Sequence, residues 1–241
     1  MKKRVEIPEL EKLNINYMTT NLKIEEIFMD FSDKGRVLEL AAGQGGLSLR
    51  LKNMGYSVIA SDLLSSNFKV SDIEFVRMDL NKSFPFRDEY FDYIVCVEGV
   101  EHIESHFHFV RECYRILKRG GYLVFSTPNI LGLASRLKYF LTGFYPLGSR
   151  PLNEFEKPEI IDHINLAPFY KFRYILHTNG FVINKLEGDR YRKSSILLYW
   201  IFPLFKFLTY ISFKKENYPA QKDANKEILN QIYSKAVLLS R

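Results

Sequence analysis

Glu98-Gly99-Val100-Glu101-His102 puts two carboxylates and an imidazole into five consecutive residues. If the run starts a helix, Glu98, Glu101 and His102 stand at i, i+3 and i+4 and share one face. Two chemistries are open to such a trio. All three groups together can ligate a divalent cation. Alternatively, His102 acts as a general base or orients a substrate, with Glu101 beside it, because an imidazole titrates near neutral pH. His163 lies in a later loop region and could complete the site, although a lone loop histidine is more often a solvated bystander. His106 and His108 read as surface residues of the next helix, and Tyr145 and Arg150 as acceptor contacts with no motif behind them.

A second constellation lies upstream. Val37-Leu38-Glu39-Leu40-Ala41-Ala42-Gly43-Gln44-Gly45-Gly46-Leu47-Ser48 is an apolar run that carries an acid, enters a glycine-rich turn and opens an amphipathic segment. The spacing predicts a strand, a tight loop and a helix start. Glycines there let backbone N–H groups approach a ligand at a helix N-terminus, where the dipole favours negative charge. About twenty residues on, Ser57-Val58-Ile59-Ala60-Ser61 ends in Asp62, an acid placed to accept hydrogen bonds from both hydroxyls of a ribose. The chain therefore reads as binding a nucleoside-containing cofactor. A dinucleotide fingerprint from Gly43 through Gly45 meets Ser48 at its third small position, an imperfect match.

Read from Glu39, the same loop resembles motif I of the class I S-adenosylmethionine-dependent methyltransferases, acid-x-G-x-G-x-G, with Ala41 in place of the first glycine. Phe75-Val76-Arg77-Met78-Asp79-Leu80 resembles that family's third strand and its adenine-contacting acid. The run from Phe84-Pro85-Phe86 through Phe91-Asp92-Tyr93-Ile94-Val95-Cys96-Val97 to His102 and Ile103 resembles the next motif of the group that includes the ubiquinone O-methyltransferases (methyltransferase type 11/12). Arg111 to Asn129 resembles its helix, double-glycine turn (Gly120-Gly121) and fifth strand. The likeness covers roughly residues 20–190 and resumes at the C-terminus. It implies a transferase using S-adenosyl-L-methionine. The implied cofactor contacts are Glu39 at the methionine end, backbone at Ala41, Gly43 and Gly45, Asp62 and Leu63 at the ribose, Asp79 and Leu80 at the adenine, and Val97. Asp79 also has a plainer reading as a strand-end turn residue. Glu101 and His102 carry the catalytic expectation. The E-x-x-E-H run further resembles the metal site of ubiquinone-pathway and small-RNA 2′-O-methyltransferases, which implies Glu98, Glu101 and His102 as ligands, yet it also occurs in relatives with no known metal.

The elements that must hold these residues alternate. Strands are predicted at about 36–40, 57–62, 73–78, 91–97 and 121–126, with helical patterns between most of them. That alternation predicts an α/β fold, a doubly wound, mostly parallel Rossmann-like sheet covered on both faces. Residues 8–31 read as an N-terminal helical cap and 130–165 as an irregular lid or substrate insertion. Residues 166–180 form a helix closed by Asn179-Gly180, and Phe181 to Leu186 a sixth strand. The resemblance implies a seventh, antiparallel strand closing the sheet, and Lys235 to Leu239 fit it, so a seven-stranded sheet is expected with about 190–232 as an insertion between its last two strands. The ligand is expected at the carboxyl ends of the strands.

The 241 residues suit one domain, and 46% apolar content excludes a disordered chain. Cys96 and Cys113 fall in a strand and a helix and read as reduced core residues. Met1-Lys2-Lys3-Arg4 is followed by Glu6, Pro8 and Glu9 with no apolar run, so a cytoplasmic protein is expected. The formal charge is +6. From Asp189 onward ten basic side chains face four acids, so the whole excess lies in the last 53 residues. Within that stretch, Ile196 to Phe213 is aromatic and aliphatic. Arg190, Arg192 and Lys193 precede it, and Lys214 and Lys215 follow. Ser195, Tyr199, Pro203, Lys206 and Tyr210 fall on one helical stripe. At about 195–213 the segment is marginal for a spanning helix of roughly twenty residues. Peripheral contact with the inner face of a membrane fits better, while packing on the core or in a dimer interface is the bland alternative.

Three functions follow. The leading one is S-adenosylmethionine-dependent O-methylation of a small or lipid-linked acceptor, such as a quinone precursor or a lipid-linked sugar or glycan. RNA 2′-O-methylation is the enzymatic alternative. A nucleic-acid partner is not expected, because the basic residues flank an apolar helix instead of interleaving with a base-stacking surface. A non-catalytic cofactor-binding membrane scaffold is the third.

Overall fold

A computed structural model describes residues 19–145, 155, 163–188, 200, 203–204, 207–208, 211 and 237–240. The described elements run α1 (Thr19–Asp30), β1 (Arg36–Leu40), α2 (Gly46–Asn53), β2 (Ser57–Asp62), β3 (Glu74–Arg77), β4 (Phe91–Val97), α3 (His106–Ile116), β5 (Leu117–Ser126), α4 (Leu133–Thr142), α5 (Phe169–Thr178), β6 (Val182–Leu186) and β7 (Val237–Ser240). Short 3-10 turns cover Ser65–Asn67 and Val100–His102.

Seven strands form one sheet in the order β3-β2-β1-β4-β5-β7-β6. Five of them are joined by parallel ladders, and β7 runs antiparallel between β5 and β6. The alternation of side chains explains why both faces are covered. Along β1 and β4, Leu38, Leu40, Ile94 and Cys96 face one layer, where α3 and α5 bring Phe109, Val110, Cys113, Phe172 and Ile175. Val37, Tyr93, Val95 and Val97 face the other, where α1 and α2 bring Ile24, Phe28, Leu47 and Leu51. A strand buried on both sides must be apolar at nearly every position, which is why these runs do not alternate with polar residues. Both cysteines are buried and reduced.

The strand order reverses between β1 and β4, so the loops after these two strands part company there and open a crevice at the carboxyl edge. They also touch. A Cβ built on Gly99 would lie 2.9 Å from that of Ala41 and 2.7 Å from Cys96 Sγ. Only glycine lets the β4 loop pass so close to the β1 loop.

Three expectations need correction. Residues 130–165 are not irregular throughout: α4 occupies Leu133–Thr142 and ends on Gly143, whose φ of 74° lets its N–H cap the Tyr139 carbonyl. The flanking glycines and prolines concealed a helix whose apolar stripe points outward. His106 is not a surface residue; its ring is buried beside Phe172, with centroids 4.7 Å apart, and Nε2 donates to the Val100 carbonyl at 2.8 Å. Burial pushes its pKa down to about 4. Nor does Glu98 open a helix: its backbone is left-handed, with φ 50°, and a single 3-10 turn follows. Of the predicted N-terminal cap, residues 8–18 lie outside the described residues, as do Arg150 and most of the 190–232 insertion.

Candidate active site

β1 and β2 deliver the first half of the site. Glu39 follows Leu38 on the strand face turned toward α2, is 3% exposed, and accepts a short hydrogen bond from the Ser48 hydroxyl. Burial raises its pKa to about 8, against the opposing hydrogen bonds from Ser48 and with help from the negative charge of Asp62. The buried carboxyl is thus held protonated near neutral pH. Ser61 Oγ donates to the Glu39 carbonyl at 3.0 Å, and Ala42 N to the Ser61 carbonyl at 2.9 Å, so the two strand ends are tied together.

The loop between β1 and α2 is left-handed at three residues: Ala41 with φ 56°, Gly43 with φ 54° and Gly45 with φ 86°. Ala41 therefore adopts, at a cost, the conformation for which the motif ordinarily has glycine. Gly43 has open space where a side chain would stand, and Gly45 does not: its Cβ would lie 2.6 Å from the Phe68 ring. The two glycines serve different ends, one leaving room above the loop and the other closing it onto Phe68 and Val70. Asp62 Oδ2 accepts the Gly43 N–H at 2.9 Å and Oδ1 accepts Leu64 N–H at 3.0 Å. Each oxygen keeps acceptor capacity for a further donor, since a carboxylate offers about four lone-pair sites.

Leu63, Asp79, Leu80 and Val97 stand beside the same edge. The Leu63 carbonyl accepts Arg77 Nε at 3.1 Å. Asp79 forms the turn after β3, accepting Asn81 N–H at 2.9 Å on Oδ1 and Lys82 N–H at 3.0 Å on its carbonyl. Leu80 packs against the core, and Val97 closes β4 in the other layer.

The second half follows β4. Glu98 is left-handed, with φ 50°, and its side chain folds back to β5: Ser126 Oγ donates to its Oε1 at 2.9 Å and accepts its backbone N–H at 3.1 Å. The chain then makes a single 3-10 turn, Val100–His102, in place of a helix. This turn separates Glu98 from its expected partners. Among the described residues, the group of side chains able to share a metal ion is Glu101, His102 and His163, with one ligand atom from each within 4.8 Å of the others. Glu101 is fully buried, and its Oε1 lies 4.0 Å from His163 Nε2. The His102 and His163 rings meet edge to face at 4.7 Å. His163 thus takes the place expected of Glu98.

Asn165 brings this about. Its N–H donates to the Glu101 carbonyl at 3.0 Å, and its side-chain amide to the carbonyls of Ile103 at 3.1 Å and Glu104 at 3.0 Å. Three hydrogen bonds fasten the 163–165 strand of chain to the turn after β4. The motifs gave Asn165 no place and Ser126 no role; Ser126 was visible only as the end of the fifth-strand motif, at the carboxyl edge of the sheet.

Residues 38–125 match the family model described as a methyltransferase domain. The mitochondrial ubiquinone biosynthesis O-methyltransferase of Rattus norvegicus is 26% identical over 183 residues, covering 68% of this chain and 49% of the rat protein. The ubiquinone biosynthesis O-methyltransferase of Rickettsia typhi is 26% identical over 165 residues, covering 62% of this chain and 66% of its own length. The chain thus spans about half of the rat relative and about two thirds of the rickettsial one. A SAM-dependent methyltransferase from Archaeoglobus fulgidus shares the fold over 97% of this chain and 98% of its own, with a TM-score of 0.60 and 18% identity. A phosphoethanolamine N-methyltransferase from Haemonchus contortus, solved with S-adenosyl-L-methionine, shares it over 92% of this chain and 51% of its own, at a TM-score of 0.51 and 16% identity.

Proposed function

We propose that this chain is an S-adenosylmethionine-dependent methyltransferase that transfers the cofactor's methyl group to a hydroxyl of a small or lipid-linked acceptor such as a quinone precursor or a lipid-linked sugar. The observation that carries the reading is that Glu101 and His102, on the turn after β4, meet His163 next to the crevice at the strand reversal. Two imidazoles beside a buried carboxylate suit an acceptor whose proton must leave. An imidazole takes the acceptor O–H proton, the oxygen forms a bond to the methyl carbon as the sulfonium C–S bond breaks, and the sulfur leaves as a neutral thioether. Glu101 holds the protonated imidazole in place and offsets its charge.

On the other side of the crevice, Asp62 has acceptor capacity left for ribose hydroxyls, and the space above Gly43 suits the close approach of a ligand to backbone. Asp79 and Leu80 are assigned to the adenine end and Glu39 to the methionine end. Glu39 and Ser48 would order the loop backbone there.

The donor set of Glu101, His102 and His163 also fits a divalent cation, one carboxylate oxygen and two imidazole nitrogens being ligands that Zn²⁺ or a related ion accepts. Such an ion would lower the pKa of an acceptor hydroxyl. In this second reading Glu98 is no ligand, because its side chain folds toward Ser126 and lies outside the Glu101, His102 and His163 group.

The test is methyl transfer from labelled S-adenosylmethionine to a panel of catechols, polyprenylated phenols, sugars and amines, in chelator and with Mg²⁺ or Zn²⁺ restored. Methyl ethers on hydroxyl acceptors support the proposal. Products on nitrogen or carbon alone would overturn it, and full turnover in excess chelator would remove the metal.

A further inference from the structure

Two helical segments outside the crevice expose apolar stripes of the same spacing. On α4 and its cap, Leu137, Phe140, Leu141 and Phe144 fall at i, i+3, i+4 and i+7 and are all exposed, Phe140 by 84% and Leu141 by 68%. In the later insertion, Trp200, Leu204, Phe207 and Ile211 are spaced four, three and four apart; the last three are helical and all four are exposed, Trp200 by 77%. A helix in a folded domain turns such a stripe toward the core. Here both turn it outward.

Strand register shows where the two segments leave the sheet. Phe125 near the end of β5 and Leu186 at the end of β6 both pair with Val237 at the start of β7. The connection into α4 therefore departs from the same edge as the insertion, which leaves after β6 and re-enters at Val237. It is the carboxyl edge, where Asp62 and the Glu101 turn also lie.

Charge indicates the occupant. Arg136 and Lys138 lie on α4, and Arg190, Arg192, Lys193, Lys206, Lys214 and Lys215 lie within or beside the second segment in sequence. This is the stretch that carries the chain's whole net positive charge. Among the described residues, no helix is long and apolar enough to cross a membrane. Exposed aromatic and aliphatic stripes with lysine and arginine beside them in sequence match in-plane insertion at an anionic lipid surface.

We propose that α4 and the stripe of Trp200, Leu204, Phe207 and Ile211 form one docking surface for an anionic bilayer, laid around the mouth of the crevice. The surface holds that mouth at the headgroup level, where a lipid-linked acceptor is reached without leaving the membrane. This last consequence rests on the proposed function, but the docking does not.

Co-sedimentation of the full chain, without cofactor or acceptor, separates the two. Vesicles of phosphatidylcholine alone are compared with vesicles containing about one third phosphatidylglycerol. The expected result is at least roughly tenfold tighter binding to the anionic vesicles, lost as salt screens the surface. Phe140→Ser with Leu141→Ser, and separately Leu204→Ser with Phe207→Ser, should each release the protein with its circular dichroism unchanged. These side chains are exposed, so the fold does not need them. Equal sedimentation on both vesicle types, or none on either, overturns the proposal. So does a dimer in light scattering that the same substitutions dissociate, since a second copy would then be the occupant. Docking without methyl transfer would overturn only the proposed function.

Discussion

On the β1–β2 side of the crevice, Glu39, Gly43, Gly45, Ser48 and Asp62 lie within 24 consecutive residues. One strand–loop–helix unit and the next strand hold them, and their bonds run between near neighbours in sequence: Ser48 to Glu39, Gly43 to Asp62. On the β4 side, Glu101 and His102 meet His163 only because Asn165 reaches back 62 positions to the Ile103 carbonyl. The first side is a local unit whose geometry follows once its strand and helix form. The second is assembled by tertiary contacts. The difference teaches that cofactor binding and acceptor chemistry should be separable by mutation, although the two halves share one sheet edge.

The sharpest test of that separation is Glu101→Gln. Methyl transfer should fall by roughly 10²–10⁴-fold, the usual worth of positioned acid–base groups, while S-adenosylmethionine affinity measured by calorimetry stays within about twofold. A large loss of cofactor affinity in this variant would break the comparison. Asp62→Ala makes the reverse test. It should weaken cofactor binding by roughly 1–3 kcal/mol, the cost of losing charge-assisted hydrogen bonds, and leave the acceptor's KM unchanged.

A pH series probes the β1 side alone. The folded chain holds Glu39 protonated up to about pH 8, whereas an ordinary carboxyl loses its proton near 4.5. Between these values the folded state binds a proton that the unfolded state has released, so this group's contribution to stability declines as pH rises from 4.5 to about 8. Denaturant midpoints should show that decline in the wild type and a flatter profile in Glu39→Gln. The smallest effect is at Ala41, whose φ of 56° suits glycine better. Ala41→Gly should raise stability by about 0.5–1 kcal/mol, seen as a higher midpoint with cofactor binding retained.

Much of the fold was legible because its signals are local. Near-continuous apolar runs marked β1 and β4 as doubly buried, and Asn179-Gly180 marked the end of α5, where Gly180 takes φ 88°. Motif order put Asp62 at the end of β2 and Asp79 just after β3, at the carboxyl edge. The errors have physical causes of the opposite kind. Helical spacing put Glu98 with Glu101 and His102, but the ribbon turns left-handed at Glu98 and Ser126 captures its carboxylate from a strand 28 positions away. Polar identity put His106 on the surface, but α3 rotates it against Phe172 of α5 and the Val100 carbonyl satisfies it.

The sequence by itself determined the alternation of strands and helices, the glycine turn and the acids at the strand ends, because each rests on residues within a turn or a strand of one another. Only the tertiary structure decided that His163 joins Glu101 and His102, that Glu98 does not, and that α4 turns its apolar stripe outward. Those outcomes depend on which distant backbone carbonyl, hydroxyl or ring is brought alongside, and no local spacing encodes that approach.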